Sequence, residues 1–327
     1  MLLHNRLGRP QLEARLDSEK FVRRTLSFYR YVNVENPQEF RDQLYLAWDQ
    51  LQCYGRVYVA PEGINAQMSV PEHQIDAFLK HLESVPELSE MSLKWAVEDD
   101  GKSFLKLVIK VRSKIVADGL TETEFDVTNV GQRLSPLEFH ELAKKEEVIV
   151  VDMRNRYESE IGRFQNAICP DVRTFREEVE TVVKQLQDKK DRKVLLYCTG
   201  GVRCEKASAW LRHHGFSDVN QLHGGVIAYS HEIKQAGLAS QFIGKNFVFD
   251  ERLGERITND IISHCHQCGK SCDTHVNCAY DPCHKLVIQC DVCAEKYSGC
   301  CCEECCLQFA LQSGAKEEGQ DEVKVEI

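Results

Sequence analysis

The sequence predicts three successive pieces: an α+β domain of ferredoxin-like order, an open α/β domain built on a parallel sheet, and a small cysteine-rich unit. Three observations predict them. Residues 25–111 read as strand, helix, strand, strand, helix, strand with one strand added. Residues 131–240 alternate strands and helices around two continuous apolar runs, VIVVD and KVLLY. Twelve of the sixteen cysteines fall between Cys265 and Cys306.

In chain order, a polar lead-in (1–24) precedes a strand over Thr25 to Val32. Asn36-Pro37 then opens a helix that places Phe40, Leu44, Trp48 and Leu51 on one face. Arg56 to Ala60, the turn Pro61-Glu62-Gly63 and Ile64 to Val70 carry the signal of a hairpin. A helix from about Pro71 to Ser84 follows, then strands at Leu93 to Val97 and Phe104 to Val111. This order, βαββαβ plus one strand, defines a ferredoxin-like domain over 25–115. A turn-rich linker (116–130) leads to the second domain (131–240). Ser135-Pro136 caps its first helix. Val148 to Met153 and Lys193 to Tyr197 are the continuous runs of strands buried on both faces. Helices are expected over Thr174 to Gln187, Glu205 to His213 and Gly224 through Tyr229, with a strand at Val219 to Leu222. A connecting segment (241–264), the cysteine-rich unit (265–306) and an acidic tail expected to be disordered (307–327) complete the chain.

Composition narrows the function. No apolar run approaches the ~20 residues of a bilayer span, and the N-terminus lacks the core of a signal peptide, so a cytoplasmic protein without a membrane partner is expected. In a reducing compartment, clustered cysteines point to metal ligation or redox chemistry before disulfides. A net charge of −10 excludes coating of nucleic acid by bulk electrostatics, and DNA is not an expected partner; a local basic face for RNA is still allowed.

Chemistry concentrates at Cys198-Thr199-Gly200-Gly201-Val202-Arg203. The cysteine follows a buried strand and the arginine stands at the mouth of the next helix. Six positions can wrap their N–H groups around the sulfur, which together with the positive helix end stabilises a thiolate or persulfide. The two glycines allow backbone angles and approaches that a Cβ resists. Tyrosine phosphatases hold one more residue between cysteine and arginine, a wider loop suited to phosphate. Asp152 and Arg154, at the end of the neighbouring strand, are expected to form an ion pair that supports the loop. Cys204 is a candidate to resolve an oxidised or persulfidated Cys198, although its place at the start of a helix would turn its side chain away.

The segment YCTGGVRCEKA resembles the active-site loop of rhodanese domains, and VIVVDMRNRYESEIGRFQNA resembles the Asp-x-Arg and Tyr-Glu region before it. The likeness extends through GRVYVAPEGINAQMSVP, KVRSKIVADG, FIGKNFVFDERLGERI and HCHQCG, from roughly Leu3 to Cys306. Together these are similar to the bacterial oxygen-dependent tRNA uridine hydroxylases. That resemblance implies hydroxylation of the wobble uridine, position 34, to 5-hydroxyuridine, with dioxygen as co-substrate, the anticodon loop of tRNA as partner and Cys198 as the active cysteine. The alternatives are a sulfurtransferase that carries a persulfide on Cys198, and a non-catalytic redox or metal-sensing module. The sequence holds no flavin or nicotinamide fingerprint and no iron triad.

Cys265-His-Gln-Cys268 and Cys290-Asp-Val-Cys293 form two Cys-x-x-Cys knuckles, the spacing of tetrahedral zinc, with an iron–sulfur cluster as the alternative. Cys272, Cys278, Cys283, His284, Cys300, Cys301, Cys302, Cys305 and Cys306 offer further ligands, enough for two ions. For RNA, Lys106, Lys110, Arg112 and Lys114 would share one face of the strand running from Phe104, with Leu105, Leu107, Ile109 and Val111 on the other. A solvated outer strand gives the same pattern.

Overall fold

The computed structural model describes residues 3–121 and 125–318, the side chains of 313–318 excepted. It divides into two compact units, one up to Thr258 and one from Asn259 onward. None of its helices, among the described residues, is long and apolar enough to cross a membrane.

The first unit opens with α1 (Arg9–Asp17), where a polar lead-in is expected. Only Leu12 of this helix is buried, so it carries no apolar periodicity to read. β1 (Arg23–Tyr31), α2 (Pro37–Gln50), β2 (Tyr54–Ala60), β3 (Gly63–Pro71), α3 (Ile75–Ser84), β4 (Lys94–Trp95) and β5 (Leu107–Val111) follow. The sheet order is β4-β1-β3-β2-β5. β1 is antiparallel to β3 and β4, β2 is antiparallel to β3, and the added β5 runs parallel to β2. Asn36 caps α2 by accepting the Glu39 N–H at 3.2 Å, with Pro37 at the first helical position. Both helices cover one sheet face, where Phe28, Trp48 and Phe78 pack as neighbouring rings. Because side chains alternate along a strand, Tyr29 and Tyr31 emerge on the other face. There Tyr29 donates to Glu205 and Tyr31 to the Val202 carbonyl.

The basic strand expected from Phe104 to Lys114 needs correction. Only Leu107–Val111 pairs, because its partner is limited to Gly55–Val59 before β2 turns at Pro61. Lys106 precedes the strand and Lys114 lies past it, ion-paired with Asp118 at 2.6 Å. Val111, expected on the apolar side, is exposed.

The chain continues with β6 (Gln132–Leu134), α4 (Pro136–Leu142), β7 (Ile149–Asp152), α5 (Arg156–Ile161), β8 (Gly162–Phe164), α6 (Phe175–Gln185), β9 (Lys193–Tyr197), α7 (Val202–His213), β10 (Asp218–Leu222), α8 (Gly225–Gln235), β11 (Phe242–Asn246) and β12 (Glu255–Arg256). β6-β10-β9-β7 form a wholly parallel sheet. On β9, Val194 and Leu196 enter a core with Val179 and Leu211, while Leu195 and Tyr197 enter the opposite core with Phe139 and Tyr229. Burial on both faces is why this strand reads as an unbroken apolar run. Residues 241–264 are not a mere connector: β11 pairs with β8 and β12 in a small antiparallel sheet. α5 was unforeseen, and α8 runs six residues past Tyr229 to Gln235.

The second unit holds β13 (His275–Asn277) paired with β14 (Leu286–Ile288), then α9 (Asp291–Lys296) and α10 (Glu303–Glu318). The expectation of disorder from residue 307 is corrected as far as 318, where the chain is helical; 319–327 lie outside the described residues.

Asp152 and Arg154 lock the α/β domain internally. Both are fully buried. Arg154 binds Asp152 through Nε and Nη2 at 2.8 and 2.7 Å, and donates to the Gly162 carbonyl at 2.6 Å and to Asn246 at 3.3 Å. Tyr197 donates to Asp152 at 2.7 Å. One ion pair therefore joins β7, β8, β9 and β11. Removing one partner strands a buried charge, so Arg154→Ala is expected to lower stability by about 3–5 kcal/mol. The measurement is urea unfolding; a loss within the error of a surface substitution would show that the pair does not hold the domain.

Candidate active site at the cysteine loop

β9 delivers Cys198 to the carboxyl edge of the parallel sheet, where an open α/β fold places its ligand sites. The loop is held from below by α8: the Val226 and Ile227 N–H groups donate to the carbonyls of Cys198 and Thr199 at 3.0 and 3.2 Å. With those carbonyls turned to α8, the following N–H groups face the sulfur. Gly225 (φ +65°) is required, since a Cβ there would lie 2.5 Å from both carbonyl oxygens. Gly201 (φ +103°) caps α7 and donates its N–H to Cys198 Sγ at 3.1 Å. A Cβ at Gly201 would press to 2.8 Å from the Tyr29 hydroxyl.

The sulfur is buried, only 1% of the residue being exposed, rather than displayed on a surface loop. Burial alone pushes the thiol up. The Cys204 thiol, the Arg203 charge and the N–H groups of Cys204 and Arg203 outweigh it and hold Cys198 at about 5. Cys198 is thus a thiolate at neutral pH. Cys204 points at it, contrary to the expectation from its helical position. Burial and the adjacent thiolate push Cys204 well above its usual range.

Arg203 acts at one remove. Its Nη1 and Nη2 bind Glu158 at 2.5 and 2.9 Å, and Nη2 reaches Thr199 Oγ1 at 3.3 Å. Glu158, fully buried on α5, also accepts the Asn155 N–H at 3.0 Å. Sequence reasoning assigned no role to Glu158, although the Tyr-Glu pair lay inside the likeness. Asp152 and Arg154 form the expected ion pair, with partners in the sheet edge rather than on Cys198.

Above the sulfur lies a cavity of about 390 Å³ between the two domains of this unit. From the ferredoxin-like sheet it is lined by Tyr29, Arg56, Tyr58, Asn65, Gln67 and Lys94, and from the other side by the loop, Phe249 and Arg252. Lys94 is nearly buried, its Nζ 4.7 Å from the centre of the Tyr29 ring. Burial lowers its ammonium to about 8, against the pull of Cys198 and Glu205. None of these sheet residues was anticipated. The signal lay in the polar and aromatic alternation of Ser27, Tyr29 and Tyr31 opposite Leu26 and Phe28. Of the basic residues expected to meet RNA, Lys106, Lys110 and Arg112 are exposed, and Arg112 lies 5.9 Å from the ring centre of Tyr58, a wall of the cavity. Lys114 is occupied by Asp118 and the Leu120 carbonyl.

In the second unit, Cys265, Cys268, Cys290 and Cys293 converge, each Sγ within 4.8 Å of the others. Cys268 and Cys290 are 3.6 Å apart, too far for a disulfide and suited to a shared cation.

Three family models match the chain: a UPF0176 acylphosphatase-like domain over 23–115, a rhodanese-like domain over 135–232 and a rhodanese C-terminal region over 243–306. A tRNA uridine(34) hydroxylase of Leptospira interrogans is 59% identical over 93% of this chain and 83% of its own length. The protein of the same name from Escherichia fergusonii is 50% identical over 95% of this chain and 89% of its own. Among solved structures, a rhodanese-related protein of Thermoplasma volcanium aligns with 31% of this chain and 92% of its own at 20% identity and a TM-score of 0.26. The identity and coverage of the two named relatives show that this chain belongs to the tRNA uridine(34) hydroxylase family.

Proposed function

We propose that the chain hydroxylates C5 of uridine 34 in the anticodon loop of tRNA, with Cys198 as the nucleophile and dioxygen as the oxygen source. One observation carries the role of Cys198: its thiolate is held at about 5 and faces a cavity wide enough for a base. The wobble base lies in a loop, so extruding it costs less than flipping a base from a duplex. Tyr29, Tyr58 and Phe249 offer rings against which uracil can stack, and Asn65 and Gln67 offer amides for its edge. Arg112, Lys110 and Lys106 are the candidates for phosphates of the flanking nucleotides. A tRNA substrate assigns the protein to the cytoplasm.

In this reading the thiolate adds to C6, and the electron pair of the C5–C6 double bond moves toward C5 and the O4 carbonyl. C5 then bonds to one atom of dioxygen, and the O–O bond breaks as two electrons from the reductant and two protons release the second oxygen as water. Loss of the C5 proton and departure of the Cys198 thiolate restore the double bond. Overall, uridine, dioxygen, two electrons and two protons give 5-hydroxyuridine and water, the electrons coming from a reductant such as a small thiol. Lys94, facing the thiolate, supports the developing charge at O4. Arg203 and Glu158 position the loop. Cys265, Cys268, Cys290 and Cys293 would hold a zinc ion, to which four thiolates would give a structural rather than a catalytic role. The second reading, sulfur transfer through a Cys198 persulfide, is favoured only by the same N–H cradle, which stabilises either anion.

Incubation of the protein with tRNA, a thiol and labelled dioxygen is expected to put the isotope on O5 of uridine 34, read by mass spectrometry of nucleosides; 2-thio or 4-thio nucleosides instead would give the second reading the lead. Cys198→Ala is expected to abolish the product while leaving the unfolding midpoint near wild type, because one small side chain leaves the loop. Wild-type turnover in that variant would refute the nucleophile. Alkylation of Cys198 is expected to rise through about pH 5 and stay flat above it, since a lowered pKa leaves the thiolate full at higher pH. In Arg203→Ala the inflection moves up, and an unmoved inflection would show that Arg203 adds nothing to the cradle.

A further inference from the structure

We propose that the unit from Asn259 onward is a cross-braced module holding two divalent cations of the zinc class, the second bound by Cys278, Cys283, Cys301 and Cys305. The four Sγ atoms all lie within 4.8 Å of one another. Cys283 and Cys301 are separated by 3.6 Å, and Cys301 and Cys305 by 3.7 Å. Four sulfurs at ~2.3 Å from a tetrahedral zinc stand ~3.8 Å apart, whereas a disulfide needs ~2.0 Å. The observed spacings are those of ligands around a shared ion.

The two quartets share an internal detail. The Cys290 N–H donates to Cys265 Sγ at 3.4 Å, and the Cys301 N–H donates to Cys278 Sγ at 3.4 Å. In each case the first cysteine of the third or fourth ligand pair hydrogen-bonds the first cysteine of the pair two places earlier. The same bond in both quartets makes them structural counterparts, although their spacing differs: Cys-x-x-Cys occurs twice in the first, and Cys278-x₄-Cys283 with Cys301-x₃-Cys305 forms the second. That irregular spacing is why the second quartet cannot be read as a motif.

Along the chain the pairs alternate: 265/268 to the first ion, 278/283 to the second, 290/293 to the first, 301/305 to the second. Each ion therefore clamps the segment that carries ligands for the other. Little else holds the unit, for among its described residues Ile288 is the only buried apolar side chain that is not a cysteine. Metal binding is then folding energy, supplied twice through one interlocked frame. Cys302, though 3.9 Å from Cys301, falls outside the quartet and is not a ligand.

The test is native mass spectrometry of the full chain purified without oxygen, followed by exchange to cadmium and ¹¹³Cd NMR. Wild type is expected to carry two ions and to show two resonances in the all-sulfur range. Cys305→His, which keeps a ligand and the fold, is expected to move one resonance toward the range of three sulfurs and one nitrogen, while Cys302→Ser moves neither. Cys278→Ser with Cys283→Ser should cut two ions to one or none. Fewer than two ions in wild type, two ions in the double variant, or a Cys305→His spectrum with both signals still all-sulfur would overturn the proposal. Metal content and ligation are read here rather than hydroxylation, so these results stand apart from the fate of the proposed reaction.

Discussion

A thiolate buried at the end of a parallel strand is an unfavourable thing to build, because burial opposes the charged form. Around Cys198 the fold supplies the opposing terms together: inward N–H groups, the start of α7, the Cys204 thiol and a guanidinium nearby. Each depends on something further out. The N–H groups face the sulfur because α8 takes the carbonyls, and Arg203 is fixed because Glu158 takes both ends of its guanidinium. The Asp152–Arg154 pair, one layer below, ties together the strands that carry these parts.

The same constraint explains the first domain. A ferredoxin-like sheet with helices on one side leaves its other face free to cover something, and here that face is polar and aromatic. It closes over the cysteine loop without filling the space, so the cavity takes its floor from one domain and its polar and aromatic roof from the other. Tyr29 belongs to both: its ring supports Lys94, its hydroxyl meets Glu205, and its edge limits what can stand at Gly201. A cysteine that is 1% exposed beneath a cavity of about 390 Å³ sits in a different environment from a cysteine open to solvent.

The cysteine-rich unit follows a different logic. Among its described residues Ile288 is the only buried apolar side chain that is not a cysteine, a composition suited to ordering by ligation rather than by a hydrophobic core. In the proposed two-ion arrangement, the interleaved ligand pairs would spread that order over the unit.

The sequence by itself determined the parts governed by local pattern. Continuous apolar runs marked β7 and β9, capping residues marked α2 and α4, the Pro61-Glu62-Gly63 turn marked the hairpin of β2 and β3, and the six-residue loop with its two glycines marked Cys198. The first Cys-x-x-Cys quartet was legible for the same reason: its regular spacing is a pattern within the chain itself. Tertiary structure decided what depends on meetings between distant segments. Glu158 gains its role only because α5 packs beneath a loop 40 residues later, and Lys94 only because β4 closes over the other domain. β5 is shorter than its alternating residues suggest because β2, its partner in the sheet, turns away. Side-chain periodicity is a property of one element, whereas these roles are properties of pairs, and no single stretch of chain contains both members.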